Sequence, residues 1–258
     1  MCGTPARFAR NFLRPRAANR VAVPRLHCYR PSYSAMATNS QGFTRIELLV
    51  TVLSLVLIGL VTLPALATTA THSQVAQCSN NLHRLGIALL AYADENSDFF
   101  PPRSAGPSWP ERLRPYYKDI QILTCPADGP NPPSFGNPTN IADAAPRSYI
   151  LNGWNDYFST HNLSFTQAFP ESAILEPSRT ILFGEKDAQS PHFWFDYSAG
   201  DDYLEVENGR HLRSDNNPAT GASNHAFADG SVQLLKSGTA FDPVILWFVV
   251  PEFRRLVF

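Results

Sequence analysis

The side chains best suited to chemistry gather towards the C-terminal end of the chain. His211, His225 and the pair Asp229 and Gly230 fall within twenty residues of one another. Histidine and aspartate can ligate zinc, or act as a base and the group that orients it. Asp-Gly between apolar runs is also a strong hairpin signal in its own right, and the turn is the reading we expect to hold. No G-x-S-x-G nucleophile motif occurs. Just upstream lie the acids Asp201, Asp202, Glu205, Glu207 and Asp215. Carboxylates of this kind suit calcium when backbone carbonyls join them. Their spacing is not that of an EF-hand loop, so a solvated acidic loop is the plainer expectation. A last acid stands apart: Glu47 directly precedes an apolar run that begins at Leu48, with Arg45 two residues before it.

The four cysteines divide into two pairs. Cys2 and Cys28 lie near the start, Cys78 and Cys125 in the body of the chain. Two cysteines without histidines at suitable spacing or a C-x-x-C frame do not make a four-ligand zinc site. If the body is exported, Cys78 and Cys125 can pair as a disulfide; otherwise they are two separate, partly buried thiols.

The elements that must position these residues follow from composition and pattern. A chain of 258 residues, 44% hydrophobic and 17% charged, can build a packed core. The net charge of −1 hides a division. Residues 1–42 hold seven arginines and no acid; taking those seven from the twenty-one basic residues leaves fourteen against twenty-two acids, a net of −8 for the body. That acidic body lacks the clustered positive charge that nucleic-acid binding requires. Twenty-two prolines and fourteen glycines predict many turns and short strands rather than a helical bundle.

Residues 1–35 are arginine-rich and proline-punctuated, without apolar periodicity, and read as a leader outside the fold. Met36 is an alternative start, and an organelle transit peptide is a weaker reading of the same stretch. Residues 48–67 form an uncharged, mostly apolar run of twenty residues, long enough to span a bilayer as a helix. Pro64 should loosen or kink it late in its course. Val75, Cys78, Leu82, Leu85, Leu89 and Tyr92 then follow at spacings of three and four, the apolar face of an amphipathic helix. Gln77, Asn80, Asn81, His83 and Arg84 make its wet side. The stretch DENSDFFPP ends it. The continuous helix predicted by these patterns runs from about Glu47 to Asn96.

From Phe99 onward the pattern is strand and turn. A short helix is predicted near 111–117 and a long loop over 126–146. RSYILNGW, RTILFGE, PHFWFDY and NHAFADGSVQLLK read as β-type runs. Trp154, Trp194 and Trp247 are read as core packing rather than a sugar platform. The apolar tail FDPVILWFVVPEF is too short to span a membrane and should pack on the head or face a partner.

Two groups of motifs resemble a known superfamily. GFTRIELLV, with Pro64 downstream, resembles the processing signal of type IV prepilins and type II secretion pseudopilins. CSNNLHRLGIALLAYADENSDFFPP, LTCPAD, RSYILNGW, EPSRTILFGEK and the GRH…SNHAFADGSVQLL region resemble a branch with a large head ending in a histidine-to-Asp-Gly signature. Together these motifs touch most of residues 42–236. That branch has nine residues between the histidine and Asp-Gly, whereas seventeen separate His211 from Asp229 here. Arg45 also departs from the pattern, which carries an apolar residue at that place.

The resemblance implies an α+β, pilin-like fold: a long N-terminal helix, first transmembrane and then amphipathic, packed on a mainly antiparallel β-sheet head. It implies a leader over 1–42, a membrane segment over 43–67, an amphipathic continuation over 68–98 and a head over 99–258. A prepilin peptidase would cut after Gly42, and Phe43 would become a methylated N-terminus. Glu47 would pair with the N-terminal amine of a neighbouring subunit, and Pro64 would permit a local bend during assembly. Partners would be other pilin or pseudopilin subunits, an inner-membrane assembly platform and the lipid bilayer. The protein would sit in a bacterial inner membrane by a single pass, its head in the periplasm or outside, as a structural subunit rather than an enzyme. No cofactor is implied, beyond the calcium loop of some similar pseudopilins. Rival readings are a secretory signal cut after the ALA at 65–67, a simple membrane anchor, or an anchored enzyme or carbohydrate-binding protein that borrows the export signal.

Overall fold

The structure is a computed structural model, described for residues 42–103, 106–129, 132–134, 136–197, 202–214 and 217–255. It is mixed α+β, with a five-stranded, mostly antiparallel sheet. The chain divides into two compact units, Met1–Thr51 and Val52–Phe258. The first is described from Gly42 onward. Here Thr44 and Glu47 form a reciprocal capping box: the Thr44 amide donates to the Glu47 carboxylate at 2.8 Å, and the Glu47 amide donates to Thr44 Oγ1 at 3.3 Å.

Helix α1, Arg45–Glu95, is the long helix foreseen from the apolar pattern. Its bounds differ by a residue or two from those expected, because Thr44 caps the start and residues 96–98 form a turn. Ser97 and Asp98 take positive φ values of 58° and 63° there, and the Asp98 amide donates back to the Ala93 carbonyl at 2.9 Å. Pro101 and Pro102 follow. Among the described residues no helix is long and apolar enough to cross a membrane. The run 48–67 lies partly in 61–70, a stretch that includes Pro64, where the backbone is helical and the side chains lie outside the described residues.

The head forms around the second half of α1. Cys78, Leu82, Leu85, Leu89 and Ala93, spaced by three and four, are buried against the sheet together with Ala88. The predicted wet side is put to use: Asn81 Nδ2 donates to the Thr124 carbonyl at 3.0 Å, while Ile87 stays exposed among the polar residues. Helix α2, Trp109–Tyr117, adds Trp109, Leu113 and Tyr117 to this core, and α3, Asn155–Thr160, adds Phe158.

The strands are β1 (Tyr149–Asn152), β2 (Ile181–Glu185), β3 (Trp194–Phe195), β4 (Ala222–Phe227) and β5 (Val232–Lys236), in the order β3-β1-β2-β4-β5. Among the described strands only the β1–β3 pair is parallel. The three central strands are buried at every position, so both faces of the sheet are covered. Tyr149, Leu151, Phe183 and Ala226 face the α1 side, while Ile150, Phe195 and Phe227 join a second cluster with Ile245, Trp247 and Phe248. The apolar tail therefore packs on the head as a third layer. Two buried polar side chains pin it: Asn152 Nδ2 donates to the Trp247 carbonyl at 2.6 Å, and Asp156 Oδ2 accepts from the Val249 and Val250 amides at 2.7 Å each. Trp154 and Trp247 are core residues and Trp194 is half-buried.

Candidate functional site

The most concentrated chemistry lies where α1 meets the sheet. Cys78 belongs to the buried stripe of α1, and Cys125 follows the 3-10 turn Ile120–Leu123. They are joined by a disulfide with 5.1 Å between Cα atoms. Glu185 ends β2 with its side chain fully buried. His211 arrives from the loop before β4, held by two backbone hydrogen bonds of 2.8 Å with Ala222. Its Nε2 donates to Glu185 Oε1 at 2.8 Å and lies 3.6 Å from Cys125 Sγ. Asn224 Nδ2 donates to the same carboxylate oxygen at 3.3 Å. Glu185 Oε2 has no hydrogen-bond partner among the described residues. The ligand-type atoms of Cys78, Cys125, Glu185 and His211 all lie within 4.8 Å of one another.

A second buried ion pair borders this group. Arg210 Nη2 meets Asp128 Oδ1 at 3.0 Å, with both side chains almost fully buried, and Arg210 Nη1 donates to the Ser148 carbonyl at 3.2 Å. Lys186 Nζ donates to the carbonyls of Asp187 and Ser190 at 2.8 and 2.7 Å, and burial brings its pKa down to about 8. Burial works to raise the Glu185 pKa, but the His211 hydrogen bond and the Arg210 charge outweigh it and hold the carboxyl below its usual range. For Asp128 burial prevails over the neighbouring Arg210 charge, and its pKa is raised.

The histidine-to-Asp-Gly motif is split by the fold. His211 sits in the buried cluster. Asp229 and Gly230 form the tip of the β4–β5 hairpin, with Asp229 exposed. The Gly230 amide donates to the Phe227 carbonyl at 3.0 Å, Gly230 takes φ 85°, and Asp229 Oδ1 accepts from the Ser231 amide at 2.9 Å. This is a three-residue hairpin loop with glycine in the left-handed position that such loops require. His225 is a neighbour in sequence only: its Nδ1 donates to the Ser223 carbonyl at 3.0 Å, and its ring packs near Trp247 in the tail-side core. His211, His225 and Asp229 thus do not assemble as one site.

Of the acidic loop, Asp201 and Asp215 lie outside the described residues, as does the side chain of Asp202. Glu205 is buried and bonds His192 Nδ1 at 2.6 Å, and Glu207 pairs with Arg213 at 2.7 Å. Both carboxylates are engaged within the protein. At the other end, Gly42, Phe43, Arg45 and Glu47 are exposed. Nothing in the structure explains Arg45.

Sequence reasoning missed the Glu185–His211 pair and dismissed a ligand role for the cysteines for want of a nearby histidine. The histidine comes instead from 86 residues downstream of Cys125. One signal was present: RTILFGE ends a wholly apolar strand in an acid, and a buried acid needs a partner. No family model, no curated protein and no solved structure matches this chain.

Proposed function

We propose that this chain is a pseudopilin-like or type IV pilin-like structural subunit, processed at Gly42 and assembled through its N-terminal helix into a secretion pseudopilus or pilus-like fibre. The observation that carries this reading is the surface of α1 before the head. Ile46, Leu49, Leu53, Leu55 and Leu60 are each more than 60% exposed. A helix apolar on every side needs either lipid or other helices around it. Over 45–60 that surface carries one acid, Glu47, and it stands at the lip of the apolar run. Cutting after Gly42 creates an ammonium at Phe43, four residues from that carboxylate. Pairing Glu47 with the amine of an adjacent subunit neutralises a charge that is costly near hydrocarbon, and it sets the register between packed helices. Lipid surrounds 48–63 before assembly and neighbouring helices do so afterwards. The head is then the part offered to the periplasm or exterior, and no catalytic role is assigned to it.

The capping box gives Glu47 a local role as well, so the test must separate the two. Glu47→Gln keeps a side chain that can cap the helix and removes only the charge. The expected result is normal cleavage at Gly42 with loss of subunit cross-linking into fibres. Undiminished fibre cross-linking by Glu47→Gln contradicts the pairing role.

A further inference from the structure

We propose that the dithiol form of this chain binds one zinc ion through Cys78, Cys125, Glu185 and His211. This goes beyond the assembly reading and does not rest on it. A disulfide alone is at home in an apolar core and needs no ionic neighbours. Here a buried carboxylate and imidazole stand against the sulfurs, at a desolvation cost that a hydrophobic pair would avoid. Four ligand-type atoms within 4.8 Å of one another come from α1, the segment after Leu123, the end of β2 and the loop before β4. Tetrahedral zinc, with bonds of about 2.3 Å to sulfur and about 2.0–2.2 Å to nitrogen or oxygen, holds its ligands roughly 3.3–3.8 Å apart. The 3.6 Å from Cys125 Sγ to His211 Nε2 already falls there. Glu185 Oε2, in a fully buried side chain, has no other partner among the described residues.

The surroundings also suit an anionic site. Two thiolates and one carboxylate around a divalent ion leave one negative charge. The buried Arg210–Asp128 pair stands beside them, so a cationic side chain borders the anionic site. Oxidised, the two cysteines tie α1 covalently to the segment after Leu123; reduced, coordination would tie the same two elements together and add the end of β2 through Glu185. Reduction by a phosphine makes the balance explicit. The disulfide takes up two electrons and two protons to give two thiols, while the phosphine becomes its oxide with oxygen from water. Zinc then displaces both thiol protons to solvent, and His211 stays a neutral ligand by carrying its one ring proton on Nδ1, which leaves the Nε2 lone pair for the metal.

The test uses the full chain in detergent with Cys2→Ser and Cys28→Ser, so that the leader thiols cannot compete. The protein is reduced with a phosphine under mild denaturant and refolded with cobalt(II) or zinc(II), or with chelator. The expected result is one tightly held metal per reduced chain and none in the oxidised chain. The cobalt form should show a thiolate charge-transfer band that is lost in Cys78→Ser/Cys125→Ser, and His211→Ala should hold the metal at least tenfold more weakly. If the reduced chain folds but holds no metal, the proposal is overturned. It is overturned equally if the double serine variant holds as much metal, or if the reduced chain stays unfolded with zinc present.

Discussion

Glu185 and His211 meet at 2.8 Å with side chains 0% and 1% exposed, at the junction of the sheet and the long helix. A pair so buried stabilises little relative to apolar packing, but losing one member leaves the other charged or polar group stranded. His211→Ala should therefore cost about 3 kcal/mol or more. A double variant with Glu185→Met should cost less than that single one. Denaturant unfolding of the full chain in detergent reads both; a single variant milder than the double would contradict the pairing.

His225 predicts an acid-side loss of stability. Burial pushes its pKa down to about 4. In the unfolded chain it titrates near its ordinary value of about 6.5, so the unfolded state binds more protons between these values. Its contribution is whole above about pH 6.5 and falls by about 3 kcal/mol as pH drops towards 4. The slope in that window should shrink in His225→Leu. Parallel curves for the two proteins would place the effect elsewhere.

What was legible in the sequence was local. The spacing of Cys78, Leu82, Leu85 and Leu89 marks a helix face because a turn brings those positions together. Asp229 and Gly230 mark a hairpin because the loop conformation depends on those two residues. The buried cluster was illegible for the opposite reason. Glu185 and His211 are 26 residues apart and Cys125 and His211 are 86 apart. They meet only because β2 and β4 pair and the loop before β4 folds over them. No window along the chain contains that information. The capping role of Glu47 is legible too, since T-x-x-E stands at 44–47, directly before the apolar run.

Two glycines should respond differently to alanine. A Cβ on Gly184 would lie 2.7 Å from Trp247 Cζ2 and 3.0 Å from His225 Cδ2, inside a packed layer. Gly184→Ala should cost about 1–3 kcal/mol through overpacking, and should perturb the near-ultraviolet signal of Trp247. A Cβ on Gly230 meets nothing within 4 Å, so Gly230→Ala costs only the left-handed backbone, roughly 1–2 kcal/mol, and leaves that signal unchanged. An unchanged tryptophan signal in Gly184→Ala would place Trp247 elsewhere.

The Cys78–Cys125 bond closes a separation of 47 residues. Loop-closure entropy for that length is about 4 kcal/mol. With chelator present to exclude metal, Cys78→Ser/Cys125→Ser should lose that much in denaturant unfolding. A loss under about 1 kcal/mol, well below the loop-closure figure, would mean that the bond does little to limit the unfolded chain.

Assembly through α1 depends on where the mature chain begins. Purifying the protein from membranes and weighing its N-terminal peptide reads that start. The expected peptide starts at Phe43 with a methylated amine, the group that is to neutralise Glu47 of a neighbouring subunit. A peptide starting at Thr68 would mean a secretory signal had been removed, together with Glu47 and the whole apolar run, and would contradict assembly through this helix.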